Sequence, residues 1–321
     1  MDRLQLDKNA KLTGRVYFKD EVMWLGLSGS GASFTFDGTK LVLKLKGDNI
    51  AVGDNPIDYA RIAVYVDGKR VVDEMIDCAE KEVTVIDRTE SAQSVVEIIK
   101  LSESPMSAVG VEAFAEGSAE ALPEKPLKIE FIGDSITCGY GVDDEDENHQ
   151  FTTATEDVTK AYAYKTAKAL DAEYSMFSAS GYGIVSGYTE GDEPISEQTI
   201  PQFYCSYGFS RGDFAGTAPQ DIPWDFSKYI PQIIVINLGT NDDSYCRDHK
   251  DRQAVFSKLY ADFLAVVREK NPQAYILCTV GIMGERIFPA VEEGIKIYLE
   301  SHTDSKISSI CLLYTSDAAD E

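Results

Sequence analysis

Hydrophobic and polar positions alternate along the first third of the chain. Across residues 41–46, leucines alternate with valine or lysine, and this period of two predicts a β-strand with one buried face. Asp67 and Gly68 separate two further apolar runs and predict a tight hairpin. Similar runs predict strands at residues 16–18, 23–27, 33–36, 62–66, 69–72, 83–86, 95–101 and 109–115. Eight or nine strands without a helical stretch indicate an all-β sandwich, of the jelly-roll type, over residues 1–118.

The spacing of apolar residues along the chain changes after a polar stretch. Residues 116–126, EGSAEALPEKP, contain two prolines and predict a linker, which we place at 119–126. Beyond it, apolar runs at 127–133, 174–178, 233–238 and 275–280 predict strands, and the patterns near 158–170, 256–267 and 288–299 predict helices. Alternating strands and helices indicate an α/β domain with a parallel sheet between helices, which we place at residues 127–310.

The net charge of the chain limits the kinds of molecule that it is expected to bind. The net charge is −24 and the isoelectric point is near 4.5, so we expect neither nucleic acid nor an acidic membrane as a partner. The first residues lack the basic start and apolar run of a secretory signal, and no segment approaches the ~20 apolar residues of a membrane span. We expect a cytoplasmic protein, or a secreted one if a leader is missing from this copy.

The six cysteines are scattered without a CxxC pair or a zinc-like spacing. This distribution disfavours a metal site and a disulfide framework. We therefore expect no metal and no other cofactor.

Three polar signals follow predicted strands, where α/β proteins bind their ligands. Ser135 lies in GDSIT, Gly181 in SASGYG and Asn241 in NLGTND. A serine hydroxyl is a nucleophile candidate, and the Ser135 amide, a glycine amide and an asparagine side chain are candidate donors to an oxyanion. Gly183 is the second choice for the glycine donor. Each signal alone is typical of a turn or helix cap, but their common position at strand ends predicts one site.

These motifs resemble the first three sequence blocks of the SGNH (GDSL-type) hydrolase superfamily. The sandwich ahead of the hydrolase half, with GRVYF, LSGSGASFTFDGTKL, FTTATEDVTKAYA and PWDFSKYIPQIIVINLGTND, resembles carbohydrate esterase family two over residues 10–305. The resemblance implies a three-layer, flavodoxin-like hydrolase domain. It also implies that Ser135 is the nucleophile, that Gly181 and Asn241 complete the oxyanion hole with the Ser135 amide, and that O-acetyl groups are removed from plant polysaccharide fragments.

The family's catalytic histidine lies in a DxxH block near the carboxyl terminus, after the last strand, and the sequence contains no such block there. His149 lies in an acidic insertion, His249 follows GTND, and His302 follows a helix whose end is expected at the opposite edge of the sheet. We therefore expect the catalytic histidine to be absent from this chain and its activity to be impaired. We also expect residues 311–321 to be a non-native tail on a truncated domain.

The interpretation that these observations favour is an acetylesterase acting on acetylated xylan, mannan or glucan oligosaccharides. Tyr182, Asp242 and His249 are the candidate substrate-binding residues, because they lie beside the proposed donors or in a loop after a strand. Two alternatives stay open. One is a lipase- or thioesterase-type hydrolase, which should have a large apolar groove, and the other is a carbohydrate-binding protein with a dead hydrolase site.

Overall fold

The computed structural model describes residues 1–53, 55–146 and 148–312. Its described residues before 122 form nine antiparallel strands, which confirms the β-sandwich prediction. The strands are β1 (Asp2–Leu4), β2 (Lys11–Thr13), β3 (Tyr17–Lys19), β4 (Val22–Leu25), β5 (Gly31–Gly47), β6 (Ala60–Val66), β7 (Lys69–Ile76), β8 (Glu80–Lys100) and β9 (Val109–Ala121), with helix α1 (Leu6–Asn9) after β1. They pair in the order β3-β4-β9-β5-β8-β6-β7, with β1 on β9 and β2 on β5.

Two strands of the sandwich are longer than predicted. The runs at 33–36 and 41–45 are parts of β5, and those at 83–86 and 95–101 are parts of β8. The stretch around Gly38, which separates the first two runs, forms a bulge within the strand, with a register shift between Gly38 and Lys40. A Cβ atom on Gly38 would lie 2.3 Å from a neighbouring backbone carbonyl, so the bulge requires glycine.

The linker predicted at 119–126 begins inside a strand. Strand β9 continues to Ala121 because residues 117–121 pair with residues 34–38 of β5. The polar composition of this stretch reflects the solvent exposure of most of its side chains, which a strand at the surface tolerates. Residues 122–127 alone connect the sandwich to the following strand.

The second half has a sheet of five parallel strands, which confirms the α/β prediction. The strands are β10 (Lys128–Gly133), β11 (Glu173–Ser178), β12 (Ile233–Asn237), β13 (Tyr275–Val280) and β14 (Ile307–Cys311). They lie in the order β11-β10-β12-β13-β14. The helices are α2 (Ser135–Cys138), α3 (Tyr162–Ala169), α4 (Thr240–Cys246), α5 (Lys250–Lys270) and α6 (Phe288–Ser301). Short 3₁₀ helices cover Pro56–Asp58, Thr153–Thr155, Val158–Lys160, Pro219–Asp221 and Phe226–Lys228.

Successive residues of β10 face different cores, so both faces of the sheet are covered. Ile132 packs in a core that contains Phe256 of α5 and Val291 of α6. Phe131 packs in a second core with Ala163 of α3 and with residues of the sandwich, including Ile99. The result is a three-layer domain, and residues of the sandwich pack in both cores, Trp24 in the first and Ile99 in the second.

The tail that was predicted to begin at residue 311 does not begin at that residue. Cys311 is the last residue of β14 and pairs with Val280 of β13, and the amide of Leu312 donates to the Val280 carbonyl. Cys311 therefore belongs to the sheet rather than to a tail, because its backbone completes a parallel ladder. Residues 313–321 lie outside the described residues.

One side chain of the sandwich is inserted into the hydrolase domain. The Arg15 side chain is fully buried, and its guanidinium donates to the backbone carbonyls of Tyr204 and Ser206. It lies 3.5 Å from a Glu130 carboxylate oxygen and 4.2 Å from the centre of the Phe177 ring. A buried charge is tolerated only with such partners, so Arg15 couples the two domains.

We expect Arg15→Met to lower the free energy of unfolding by about 3–5 kcal/mol, because it leaves the buried Glu130 carboxylate without its cation. Urea denaturation of the whole chain measures the loss. Lys296→Met is the matched control, since Lys296 pairs with Glu293 on the surface and its loss should cost less than about 0.5 kcal/mol. Equal effects of the two variants would contradict the proposed coupling.

Candidate active site

Three neighbouring strands bring the predicted residues to one edge of the sheet. Strand β10 lies between β11 and β12, and Gly133 at its end pairs with Ser178 on one side and Asn237 on the other. Because the strands are parallel, their carboxyl ends lie side by side. Ser135, Gly181 and Asn241 each follow one of these ends within four residues.

Ser135 is the first residue of helix α2, directly after a tight turn. A Cβ atom on Gly133 would lie 2.0 Å from the Thr137 hydroxyl oxygen, so the turn leaves no room for a larger residue. Asp134 caps the helix, its carboxylate accepting a hydrogen bond from the Ile136 amide at 3.1 Å. The half-buried Ser135 side chain is thereby placed at the end of the central strand.

Two backbone amides at this edge are free to bind an anion. Gly181 has a φ of +79°, the left-handed region that favours glycine, and a Cβ atom there would meet nothing within 4 Å. Within the described part of the chain, neither the Ser135 amide nor the Gly181 amide donates a hydrogen bond to another protein group. Both are therefore available to an external acceptor.

Asn241, at the second position of α4, is the third candidate donor. Its Nδ2 atom donates to the Tyr182 carbonyl at 2.8 Å and lies 3.5 Å from a carboxylate oxygen of Asp134. The first bond uses one of the two amide hydrogens and fixes the plane of the side chain. Asn241 is buried and lines the same cavity as Ser135 and Gly181.

That cavity has a volume of about 720 Å³. Its lining residues come from both domains: Met106, Ser135, Ile136, Tyr140, Phe151, Ser180, Gly181, Tyr188, Thr240, Asn241, Asp243, Ser244 and Met283. Tyr140 and Phe151 stack with ring centres 3.7 Å apart, and Tyr188 is exposed. These three aromatic residues were not among the predicted site residues, although Tyr140 lies five positions after Ser135.

The candidate substrate-binding residues lie elsewhere, and we correct that expectation. Tyr182 is buried and packs near Phe203 and Phe209. Asp242 is fully buried, and its carboxylate accepts hydrogen bonds from the amides of residues 184–186. His249 is exposed before helix α5 and does not line the cavity. Tyr182 and Asp242 were predicted to bind substrate because each is next to a candidate donor in the sequence. That prediction is wrong, because their side chains point into the protein.

Two buried carboxyl groups behind the donors have raised pKa values. Burial raises the pKa of Asp134 to about 7, and the nearby Asp242 carboxylate adds to the shift. Burial also raises the pKa of Asp242, to about 6, although its backbone donors oppose this. Asp134 therefore changes its charge near neutral pH, a few ångströms from Asn241.

No histidine of the chain, all three of which are described, lines this cavity. His149 lies 3.0 Å from Asp144 and borders a neighbouring cavity that shares Tyr140 and Phe151. His302 stacks on Tyr298 at the end of α6. A histidine that would accept the Ser135 proton is thus not among the residues that line the cavity.

One cluster has the composition of a metal site: Glu103, Cys138 and Glu156, all buried. Burial raises the pKa of Cys138, so the thiol stays protonated and is a poor ligand. The ammonium of Lys100 lies beside the cluster, donating to the Glu103 carbonyl at 3.1 Å. A cation already faces these carboxyl groups, and the residues do not fit a metal ion.

Comparison with known proteins agrees with this geometry. The model of the GDSL-like lipase/acylhydrolase family matches residues 131–298, and the model of the carbohydrate esterase 2 N-terminal domain matches residues 12–126. The chain is 32% identical to a cellulase/esterase of Acetivibrio thermocellus over 80% of this chain, and it spans only 29% of that protein. It is 29% identical to an acetylxylan esterase / glucomannan deacetylase of Cellvibrio japonicus, over 86% of this chain and 72% of that protein.

Solved structures share the fold of the whole chain. A family two carbohydrate esterase from Clostridium thermocellum, in complex with cellohexaose, has a TM-score of 0.77 and 27% identity, covering 94% of this chain and 88% of that one. An acetyl xylan esterase from Butyrivibrio proteoclasticus has a TM-score of 0.84, covers 97% and 89%, and at 22% identity supports the fold alone. Since the first family model covers more than half of the sequence, the chain belongs to the GDSL-like lipase/acylhydrolase family, with an N-terminal domain of the carbohydrate esterase family two type.

Proposed function

We propose that this chain is a carbohydrate O-acetyl esterase that uses Ser135 as its nucleophile. The observation that carries the proposal is the shared cavity, in which a serine hydroxyl lies beside two unoccupied backbone amides and the Asn241 side chain. This is the donor set that stabilises the oxyanion of ester hydrolysis. The net charge of −24 favours a neutral sugar substrate over a phosphorylated one, because like charges repel.

The reaction would proceed in two steps. The Ser135 oxygen attacks the acetyl carbonyl carbon while its proton passes to a general base, and the carbonyl oxygen accepts hydrogen bonds from Ser135, Gly181 and Asn241. The sugar hydroxyl leaves with a proton, and an acetyl-enzyme remains. Water then attacks the acetyl group, releasing acetate and restoring the Ser135 hydroxyl.

Relatives support acetylated plant polysaccharide as the substrate. One relative is named a glucomannan deacetylase, and a solved relative is in complex with cellohexaose. In this chain, Tyr140, Phe151 and Tyr188 line the cavity, and aromatic rings provide flat apolar surfaces for sugar rings. We therefore propose xylan, mannan or glucan oligosaccharides carrying O-acetyl groups as the partners of this site.

A second function is favoured by one observation. Because no histidine lines the cavity, the chain could bind glycan without turning it over. Loss of a triad member typically costs orders of magnitude in rate. Glycan binding without Ser135-dependent turnover would distinguish this function from esterase activity.

We expect Ser135→Ala to reduce deacetylation of acetylated glucomannan oligosaccharides to the uncatalysed background, because the attacking oxygen is lost. Asn241→Ala should lower kcat by about 10²–10³-fold, because one oxyanion donor is removed. Acetate release measures both. Ser227→Ala is the control, since Ser227 is bonded to Asp225 outside the cavity.

Full activity of Ser135→Ala would refute the serine mechanism. Faster turnover of p-nitrophenyl octanoate than of p-nitrophenyl acetate would instead support a lipase-type hydrolase. Calorimetric binding of glycan to a wild-type chain that releases no acetate would support the binding function.

The raised pKa of Asp134 predicts a pH dependence of stability. Between its unfolded pKa near 3.9 and its folded pKa of about 7, the folded state holds a proton that the unfolded state releases. Stability from this group therefore falls as pH rises through this window, by about 1.4 kcal/mol per pH unit. We expect Asp134→Asn to remove this part of the slope, as measured by urea denaturation at pH 5, 6 and 7.

The quantity compared is the difference in free energy of unfolding between wild type and variant at each pH. Taking the difference removes the contribution of Asp242, whose pKa is also raised by burial. Asp225→Asn is the control, as this exposed carboxylate has a lowered pKa, chiefly from its hydrogen bonds with Ser227. A constant difference between wild type and Asp134→Asn from pH 5 to pH 7 would show that Asp134 does not titrate there.

A further inference from the structure

A carboxylate of the N-terminal domain lies directly behind the candidate oxyanion hole. Glu103, in the loop between β8 and β9, is fully buried. Its Oε2 atom accepts a hydrogen bond from the Ser180 amide at 2.6 Å and lies 3.7 Å from the Cys138 thiol. Ser180 precedes Gly181, and Cys138 belongs to the helix that begins at Ser135. One oxygen atom thus contacts both segments that carry the backbone donors.

Glu103 is itself held at both ends of its backbone. Its amide donates to a Glu156 carboxylate oxygen at 3.0 Å, and its carbonyl accepts from the Lys100 ammonium at 3.1 Å. Lys100 also donates to the Ser102 carbonyl at 2.7 Å. Glu103, Lys100 and Glu156 are all fully buried. The backbone of Glu103 is therefore held from both domains, by Lys100 of the sandwich and by Glu156 of the hydrolase domain.

The segment that Glu103 contacts needs such a restraint. Gly181 has a left-handed φ of +79°, and glycine has the largest backbone freedom of any residue. The Ser180 amide, one peptide before the Gly181 amide, is held by Glu103 alone among the hydrogen bonds of the described residues. The Gly181 carbonyl accepts from the Tyr188 amide at 2.8 Å, so the segment is held after Gly181 as well. Without the Glu103 bond, nothing in the described residues holds the amide on the other side of the peptide that carries the Gly181 N–H.

We propose that Glu103 is a positioning residue: it holds the Ser180–Gly181 segment so that the Gly181 amide faces the cavity. The role of that amide rests on the proposed esterase function, but the restraint itself does not. The sandwich domain thus contributes two residues to the candidate active site: Glu103, which positions the Gly181 segment, and Met106, which lines the cavity.

Three variants of the full chain test the proposal. Glu103→Ala removes the acceptor, and Glu103→Gln keeps one carbonyl oxygen that can accept from Ser180. Asp48→Ala is the matched control, because Asp48 is a buried carboxylate of the same domain that bonds to Ser107 and Ala108 and not to Ser180. The readouts are amide hydrogen exchange of a peptide covering residues 178–184 and the kcat and KM for p-nitrophenyl acetate, both at a temperature at which all variants are folded.

We expect Glu103→Ala to increase exchange of this peptide and to lower kcat on the order of 10²-fold, with KM changed less than about threefold. Glu103→Gln should restore both values towards wild type, and Asp48→Ala should change neither. Exchange in Glu103→Ala equal to wild type, or an equal effect of Asp48→Ala, would overturn the proposal. Absence of Ser135-dependent turnover in the wild-type chain would count against the esterase function, and the exchange measurement would still decide whether Glu103 holds the segment.

Discussion

The candidate site depends on the parallel register of β10 with its two neighbours. Gly133 faces Ser178 across one ladder and Asn237 across the other, so three chain segments leave the sheet at the same level. A shift by one residue would reverse which face each side chain occupies and would separate the serine from its donors. The hydrogen-bonded ladder therefore fixes the distances on which the proposed chemistry relies, and the small residues after each strand allow the turns to be tight.

The site is completed by the N-terminal domain. Glu103 and Met106 belong to one loop of the sandwich, and they reach the hydrolase domain from two sides: Glu103 from behind the Ser180 amide and Met106 at the cavity wall. Such contributions are distant in sequence from the GDSIT motif. They give a physical reason why a sandwich that packs against the parallel sheet accompanies this hydrolase domain.

The sequence predicted the elements whose signal is local. Buried parallel strands are continuous apolar runs, which placed Ser135, Gly181 and Asn241 at strand ends. It failed where the determinant is non-local: the bulge at Gly38 separates two apolar runs until the pairing of β5 with both neighbours is known. Tyr182 and Asp242 were misplaced because consecutive residues in a turn point in different directions. Phe151 lines the cavity and stacks on Tyr140. No sequence pattern specifies this contact.

The buried Arg15 has a consequence for how this architecture can be divided. Its guanidinium fills a socket made of two backbone carbonyls, a carboxylate and aromatic rings of the other domain. A hydrolase domain transplanted without its sandwich would leave the Glu130 carboxylate without its cation and would expose the aromatic rings around the socket to solvent. The unit that can be recombined or fused to other modules is therefore the pair of domains, and a sandwich borrowed from another protein must bring its own arginine to the same place.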